Sequence, residues 1–376
     1  MTGDRLDRLA PPPALVDWGI LLLVGLEVCS GLVSLTAGTP DWGWLFVVHS
    51  AGGVTLVALI FLKFRRVRPR VTNRSLWDGG TPVSLLLGTL AVAALATGLV
   101  WAATGVVWIG PWTLLTGHML LGLLVVPVLL WHLRHRFRLP QKRNIRGRRE
   151  ALRFTALAGV GALTWRLEEA GAAVFGLAGA DRRFTGSSDE AGEAGNDFPV
   201  TSWVADDPDP VDVDAWTLTV AGEVQSEAAL AYGDLVPASG NADGAEGESA
   251  GAGPQTRDRE RALLDCTSGW YAERGWEGVR LGDLLDAVGT TDEARWVRFE
   301  SVTGYRWSLP VTEARETLLA THVDGDRLSH GHGAPLRLVA PGRRGFQWVK
   351  WIEHVEVQPH QDLSQWVAIF VSGFDS

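Results

Sequence analysis

Residues 43–62 read GWLFVVHSAGGVTLVALIFL, a stretch of twenty residues without a charged side chain. At 1.5 Å per residue, a helix of this length covers the roughly 30 Å of hydrocarbon in a bilayer. Apolar runs of similar length lie at 14–37, 82–109 and 112–133. The sequence therefore predicts an α-helical membrane bundle with four spans.

The charges between these runs predict their orientation. Segment 63–74 carries six Lys and Arg and no acid, and segment 134–153 carries nine Lys and Arg and one acid. The connections at 38–41 and 110–111 carry neither Lys nor Arg. Because basic loops stay in the cytoplasm, we expect the chain to be a multi-pass protein of the cell membrane with both basic loops inside.

The segment after the second basic loop allows three interpretations. Arg148 and Arg149 precede an apolar run of only twelve residues, 154–165. Twelve residues cover about 18 Å, too little for an ordinary span, and the arrangement resembles a twin-arginine export signal inside the chain. An amphipathic helix on the cytoplasmic face and a fifth span are the alternatives. Export is favoured, which predicts an extracytoplasmic location for everything that follows.

Two histidines lie at matched depth in the predicted bundle. His49 and His118 each follow about two turns after the outer end of their span, and glycines surround both. Polar rings are costly inside a membrane, so a function is expected for them. Two imidazoles at equal depth on neighbouring helices could bind one haem iron axially, and we expect one haem b there. The alternative is that the two rings only form hydrogen bonds between helices.

Two further histidines receive no cofactor in this interpretation. His132 lies 14 residues after His118, about 21 Å along a helix, and no second histidine at that depth could complete another haem site. We expect His132 to be interfacial and His135, among arginines, to be solvated. The histidine placement resembles that of four-helix membrane b-type cytochromes.

Charge divides the chain into two parts. Residues 1–153 hold 17 Lys and Arg against 7 Asp and Glu, whereas residues 181–376 hold 16 against 34. The acidic half offers no basic stripe for phosphates, which excludes nucleic-acid binding. Three lysines in the whole chain fit a halophilic source, although a GC-rich genome gives the same bias toward arginine. Two cysteines exclude a disulfide framework.

The second half predicts an α+β domain rich in strands. Short runs with period two or bounded by Gly and Pro predict strands, and two amphipathic stretches predict helices. An insertion at 238–256, mostly Ala, Gly, Glu, Ser and Asp, is expected to be disordered. The predicted strands include 216–220, 261–265, 296–301, 335–342 and 349–357, the predicted helices are 281–289 and 312–320, and a turn is expected at 267–276. We set the domains at 1–140 for the bundle, 141–181 for the connecting segment and 182–376 for the acidic domain.

Two motifs resemble a known family. LLDCTSGWYAERGWEGVRLGDLL at 263–285 and HGAPLRLVAPGRRGFQWVKWIEHVEV at 332–357 resemble the molybdopterin-binding core of the sulfite oxidase family. That group includes the catalytic subunit of bacterial protein-methionine-sulfoxide reductase. Independently of this likeness, Cys266 at a strand end in an aromatic, arginine-containing loop suits a nucleophile or a metal ligand about as well as it suits a core position.

The resemblance implies roles for individual residues. Cys266 would bind molybdenum as a thiolate beside the pterin dithiolene, a soft ligand for a high-valent metal. The other implied cofactor contacts are Ser301, His332, Arg337, Trp348, Val349 and Lys350. Family members that oxidise sulfite bind the anion through arginines, for which Arg274, Arg306, Arg343 and Arg344 are the candidates here.

The two halves together predict a membrane-anchored oxidoreductase that uses molybdenum-molybdopterin. Electrons would pass between the quinone pool, haem b and a small sulfur- or nitrogen-oxide substrate outside the cytoplasm. Net reduction of the oxide is favoured, and oxidation of sulfite is the alternative enzyme. A membrane-bound pterin-binding or sensory module without catalysis is the alternative from another class.

Overall fold

The computed structural model describes residues 12–137, 148–202, 206–236 and 258–374. The chain forms two compact units, Met1–Ser188 and Asp189–Ser376. The first is helical and the second contains most of the strands, which confirms the predicted fold class. The predicted insertion at 238–256 lies outside the described residues.

The first unit consists of long helices and one small hairpin. The elements are α1 (Pro13–Ser34), α2 (Gly43–Thr72), α3 (Thr81–Ala103), β1 (Trp108–Ile109), β2 (Trp112–Thr113), α4 (Leu114–Arg136) and α5 (Arg148–Phe175). In this unit α1 packs on α2, α3 packs on α4, and α5 packs on α2. Within the described residues, α1 to α4 are long and apolar enough to cross a membrane.

Local chemistry explains where these helices begin and end. The hydroxyl of Thr113 accepts a hydrogen bond of 3.2 Å from the amide of Thr116 and caps the start of α4. Thr104 is extended and ends α3, so the third span is shorter than predicted and residues 108–109 belong to a hairpin with β2. The second helix continues past the predicted span as far as Thr72.

The fifth helix is longer than its apolar run. Arg148–Phe175 forms one helix of 28 residues, about 42 Å in length, so the length of 154–165 does not limit it. A Cβ atom at Gly161 would lie 3.2 Å from the carbonyl oxygen of Ala51 and would overlap Thr55. Glycine therefore allows α5 to approach the middle of α2 closely.

The second unit is built on two sheets. The strands are β3 (Ser188–Asp189, at the boundary between units), β4 (Thr217–Gly222), β5 (Ala228–Ala231), β6 (Asp258–Asp265), β7 (Trp270–Arg280), β8 (Trp296–Ser301), β9 (Arg306–Pro310), β10 (Leu318–Val323), β11 (Asp326–Arg327), β12 (Arg337–Val339) and β13 (Ile352–Gln358). In the first sheet, β10 pairs with β7 along one edge and with β11 and β12 along the other, and β6 pairs with β7. In the second sheet the order is β5–β4–β13–β8–β9, and β13 is parallel to β4. The helices are α6 (Tyr232–Leu235), α7 (Leu281–Val288), α8 (Val311–Ala314) and α9 (Gln365–Val371).

Two local predictions for this unit were wrong. The helix expected at 312–320 ends at Ala314, and Leu318–Val323 is a strand in which every residue is buried. A strand covered on both faces has a continuous apolar pattern that cannot be told from a short buried helix by periodicity. The turn expected at 267–276 ends at Gly269, because β7 begins at Trp270 and pairs with β6 along its length.

Candidate active site

Cys266 lies at the tip of the hairpin between β6 and β7. Its amide donates to the carbonyl of Trp270 at 2.9 Å, and its carbonyl accepts from the amide of Gly269 at 3.0 Å. Gly269 has a φ of 93°, a conformation that favours glycine. The tight turn therefore fixes the cysteine at the end of a strand.

The thiol of Cys266 faces polar groups. Its Sγ atom lies 3.2 Å from Oγ1 of Thr201 and 3.4 Å from the amide nitrogen of Ser268, which donates to it. The residue is only 8% exposed. A metal would bind this sulfur as the thiolate, and the two neighbouring polar groups could then both donate to it.

A buried ion pair supports the backbone of Cys266. Nη1 of Arg344 lies 2.9 Å from Oδ1 of Asp265, and Nη2 donates to the carbonyl of Cys266 at 3.2 Å. Both charged side chains are almost fully buried. At Gly345 a Cβ atom would lie 3.0 Å from Cα of Cys266, so the loop after β12 approaches the hairpin closely.

Arg337 is a buried cation in the same region. It begins β12, donates from Nη1 to the carbonyl of His332 at 2.9 Å, and lies between the rings of Trp276 and Trp348 at 5.4 and 5.8 Å. Burial lowers the pKa of Arg337 to about 10. Its Nε atom is buried and has no hydrogen-bond partner among the described residues. A guanidinium with an unused buried donor is suited to an anionic ligand.

Lys350 adds a second buried cation. Its Nζ atom donates to the carbonyls of Gly331 at 2.8 Å and Thr201 at 2.9 Å. Burial and, to a smaller extent, the charge of Arg337 lower the pKa of Lys350 to about 7, while the charge of Asp206 opposes the change. An anion bound nearby would reverse this effect and keep the ammonium charged.

His332 is held as a neutral ring. Nδ1 lies 2.7 Å from Oγ of Ser329 and Nε2 lies 3.0 Å from the carbonyl oxygen of Phe198, a pattern that suits one donor and one acceptor nitrogen. Burial lowers the pKa of His332 to about 4, and Arg337 adds to this effect. The ring also packs on that of Phe198 with centroids 3.9 Å apart.

One cleft of the second unit brings most of the predicted cofactor contacts together. Its lining includes Cys266, His332, Arg337, Trp348 and Lys350. Two hydrogen bonds between segments far apart in the sequence, from Lys350 to Thr201 and from Thr201 to Cys266, connect its walls.

Three other residues of the cleft were missed by sequence reasoning. Thr201 lies in the segment before the matched motifs, and no motif or spacing rule singled it out. Asp206 is buried, accepts a 2.5 Å hydrogen bond from Thr303, and has its pKa raised by burial. Tyr305 donates to the carbonyl of Phe346 at 2.6 Å, and burial raises the pKa of its phenol, which is therefore neutral.

Two predicted cofactor contacts lie outside the lining of the cleft. Ser301 is buried at the end of β8, where its hydroxyl accepts from the hydroxyl of Thr303 at 3.1 Å. Val349 is buried, and its carbonyl accepts from the amide of Leu338 at 2.8 Å. Thr303 also donates a hydrogen bond to Asp206, which lines the cleft, so Thr303 connects Ser301 to the cleft.

The four candidate substrate arginines are dispersed. Arg274 donates to the carbonyls of Ala191 at 2.6 Å and Asp197 at 2.8 Å and thereby holds the loop at the start of the second unit. Arg306 pairs with Asp362 at 3.1 Å and Arg343 pairs with Glu313. None of these three lines the cleft. Arg344 is also absent from its lining and donates a hydrogen bond to the backbone carbonyl of Cys266.

His49 and His118 meet within the first unit. Their ring centroids are 6.2 Å apart and their planes are nearly perpendicular. Nδ1 of His49 lies 2.8 Å from Oγ of Ser30 and 3.1 Å from Oε2 of Glu27, and Nδ1 of His118 lies 2.8 Å from the carbonyl of Ala94. Neither Nε2 atom has a hydrogen-bond partner among the described residues. His132 lies apart from this pair, with Nδ1 3.1 Å from the hydroxyl of Ser84.

Comparison with known proteins identifies the domain that contains the cleft. Residues 205–366 match the family model of the oxidoreductase molybdopterin binding domain. Human mitochondrial sulfite oxidase is 34% identical over 131 residues, which cover 32% of this chain and 24% of that protein. The catalytic subunit MsrP of the protein-methionine-sulfoxide reductase of Xanthomonas campestris pv. campestris is 30% identical over 169 residues, 40% of this chain and 47% of that protein.

A third relative has another substrate in its name. The NADPH nitrate reductase of Phytophthora infestans is 36% identical over 121 residues, which cover 28% of this chain and 13% of that protein. The chain spans less than half the length of each of these curated relatives. The matched region contains Cys266, Arg337 and Lys350, and the second unit therefore carries the molybdopterin-binding domain of an oxidoreductase, as its sequence motifs predicted.

Proposed function

We propose that this chain is a membrane-anchored, molybdenum-dependent oxidoreductase that reduces a small sulfur- or nitrogen-oxide outside the cytoplasm with electrons from quinol. The observation that carries the proposal is the cleft in which the Cys266 thiol and the buried cations Arg337 and Lys350 converge. The matched molybdopterin domain supports the cofactor, and the four apolar helices support the membrane anchor.

The residues of the cleft fit an anionic pterin cofactor. Arg337 has a buried Nε donor without a partner, and Lys350 is desolvated, so a phosphate or another anionic group would satisfy both. Among the described residues no three His, Cys, Asp or Glu side chains cluster to hold a metal. We assign Cys266 as the protein ligand of the molybdenum and His332, Arg337, Trp348 and Lys350 as cofactor contacts.

Bound molybdenum would supply two-electron exchange of an oxygen atom. The protein itself would contribute hydrogen bonds and exclusion of water. The amide of Ser268 donates to Sγ of Cys266, and the hydroxyl of Thr201 would also donate to it when the sulfur is a metal-bound thiolate. Tyr305 presents a neutral phenol to the cleft; its proton is donated to the carbonyl of Phe346, so Oη is left to accept a hydrogen bond from a bound group. The indole and phenyl rings of Trp270 and Phe346 limit access of water.

The substrate class and the direction of electron flow are part of the proposal. Relatives of this domain bear names of both reductases and oxidases. The reductase named for methionine sulfoxide aligns over a larger share of both chains than sulfite oxidase does, which favours reduction. Reduction consumes two electrons and two protons per oxygen removed, and one quinol supplies both. Oxidation of sulfite, with electrons flowing to quinone, is the second candidate.

The paired histidines support one haem b in the membrane unit. If one nitrogen of each ring lay about 2 Å from a shared iron, the ring centres would be about 6 Å apart, close to the 6.2 Å observed. Both Nδ1 atoms already have partners, so each Nε2 is left for a metal. This arrangement is typical of histidine ligands oriented by outer hydrogen bonds. We assign His49 and His118 as the residues that would bind the haem iron.

The path of α5 supports an extracytoplasmic domain. The basic segment 134–153 leads into this helix and includes its first residues, and Gly161 packs against the middle of α2. After the helix, Gly179 contacts Ala102 and Phe184 contacts Gly43, at the ends of α3 and α2 remote from the basic loops. The chain thus passes from the basic end of the bundle to the opposite end before it enters the second unit. We propose that α5 is a fifth span, despite its charged residues.

The test is elemental and spectroscopic analysis of the full chain in detergent. We expect one molybdenum and one low-spin haem per chain, and a reduced haem that is reoxidised faster when a sulfoxide or an N-oxide is added. Cys266→Ser should abolish the acceleration and keep the haem spectrum. Acceleration by none of the oxides, with haem reduction by sulfite instead, would establish the sulfite-oxidising alternative. Retained activity in Cys266→Ser would refute the ligand assignment.

A further inference from the structure

Arg182 has an unusual environment for a residue just after the helical bundle. Its guanidinium lies 4.5 Å from the centre of the Trp101 ring. Nη1 donates to the carbonyl of Gly186 at 2.8 Å, and Nη2 donates to the carbonyl of Thr104. The Nε atom is buried and has no hydrogen-bond partner among the described residues. No carboxylate of the described residues forms an ion pair with this cation.

The position of Arg182 is defined by its neighbours. Trp101 follows Gly98 by three residues, and a Cβ atom at Gly98 would lie 3.0 Å from Cε1 of His118. On the other side, Phe184 packs on Phe46 with ring centroids 5.8 Å apart. Phe46 precedes His49 by three residues. Three residues correspond to about 4.5 Å along a helix, so the segment that carries Arg182 covers the bundle about one turn beyond both histidines.

Arg182 is half-buried, and with two carbonyls and one aromatic ring as its partners among the described residues it has a buried Nε donor left for an anion. Burial lowers the pKa of Arg182 to about 10, so the side chain remains a cation at neutral pH. Two backbone carbonyls stabilise it only in part, because neither carries a charge. Its planar fork matches a carboxylate. A macrocycle with carboxylate groups, held one turn below, would supply such a partner.

We propose that Arg182 binds a carboxylate substituent of the haem held between His49 and His118. This inference rests on the haem assignment made above and deepens it. Two observations favour this source of the anion over a lipid phosphate. Trp101, on which the guanidinium lies, is only 6% exposed. The segment itself is well packed, since Thr185 and Ser187 are buried.

The experiment compares two porphyrins. Full-length protein produced under haem limitation is titrated in detergent with haemin and with haemin dimethyl ester, in which both carboxylates are blocked. The wild type should bind haemin about tenfold more tightly than the ester, in line with one charge-assisted hydrogen bond. Arg182→Ala should lose this preference, and Arg182→Lys should keep part of it. Both variants should retain the low-spin spectrum of two histidine ligands when saturated.

The neighbouring residue gives the control. Arg183 lies over Phe184 rather than Trp101, and Arg183→Ala should keep the wild-type preference. If Arg182→Ala still prefers haemin as the wild type does, the inference is wrong. Binding of anionic phospholipid vesicles that depends on Arg182, with an unchanged porphyrin preference, would assign the site to lipid instead. If the wild type binds neither porphyrin with two histidines, the haem assignment itself fails, and this outcome is distinct from an effect of Arg182 alone.

Discussion

The Sγ atom of Cys266 lies 3.2 Å from the Oγ1 atom of Thr201, and the carbonyl of the same threonine accepts a hydrogen bond from Lys350. Thr201 therefore connects the proposed metal ligand to a buried cation of the cleft. Its hydroxyl acts on the sulfur, and its backbone acts on the ammonium group. The two contacts can be separated by substitution, because only the first needs the side chain.

Removal of the Thr201 hydroxyl should impair turnover without loss of metal. Thr201→Val keeps the shape and the backbone contact to Lys350 but leaves Sγ of Cys266 without this donor. A hydrogen bond to a charged group contributes roughly 1.5–3 kcal/mol, so we expect activity to fall by about one to two orders of magnitude. Steady-state rates and molybdenum content per chain measure this effect. Thr201→Ser is the control and should remain close to the wild type; an unchanged rate in Thr201→Val would show that the contact has no catalytic consequence.

Breaking the ion pair behind Cys266 should destabilise the second unit. Asp265→Asn removes the carboxylate charge that lies 2.9 Å from the buried Arg344, and removal of one partner of a buried ion pair typically costs about 3–5 kcal/mol. Thermal unfolding followed by tryptophan fluorescence should show a clearly lower midpoint. Arg343, the neighbour of Arg344, pairs with Glu313 at a partly exposed position. Glu313→Gln should therefore cost less than about 1 kcal/mol, and equal losses in the two variants would contradict the role assigned to burial.

Removal of the charge of Lys350 should weaken cofactor retention. Lys350→Met keeps the length of the side chain but removes the ammonium group that we assign to an anionic part of the cofactor. We expect molybdenum content per chain to fall at least severalfold, with an unchanged haem spectrum in the first unit. Lys63, on α2, provides a matched control, since Lys63→Met lies outside the second unit and should keep the metal. Full metal content in Lys350→Met would remove this residue from the site.

The sequence predicted those parts of the molecule that depend on local pattern. Span length and loop charge predicted α1 to α4, and the run after Cys266 together with His332 and Arg337 predicted the cofactor domain. Thr201 and Tyr305 escaped prediction because a threonine and a tyrosine have many ordinary uses, and only the folded chain brings them to one cleft. Arg306 and Arg343 were candidate substrate contacts in the sequence but do not line the cleft. Each forms an ion pair with a carboxylate that no sequence motif reveals.

The length of α5 could not be predicted from hydropathy for a related physical reason. Arg166 and Glu169 interrupt the apolar run, but they form an ion pair of 2.9 Å one turn apart on the same helix face. The helix continues through both residues as far as Phe175. A hydropathy reading that treats each charged residue separately therefore ends the predicted segment at residue 165, before the end of the helix.

His332 should make the stability of the second unit depend on pH. Its pKa is lowered from 6.5 to about 4 by burial and by the charge of Arg337, whereas in the unfolded chain it returns to about 6.5. Above pH 6.5 both states hold a neutral ring. Below that value the unfolded state takes up a proton while the folded state does not until about pH 4, so the free energy of unfolding should fall as the pH drops through this window. The limiting loss is about 3 kcal/mol.

The measurement that isolates His332 is the change in unfolding midpoint between pH 7 and pH 5 in molybdenum-free protein. In His332→Asn this change should be smaller than in the wild type, because asparagine does not titrate, and its amide can replace Nδ1 in the hydrogen bond with Ser329. His354 is half-exposed on β13, and His354→Asn should show the wild-type dependence. If His332→Asn loses stability between pH 7 and pH 5 as steeply as the wild type, other groups cause the acid sensitivity, and the neutral state of the buried ring contributes nothing to it.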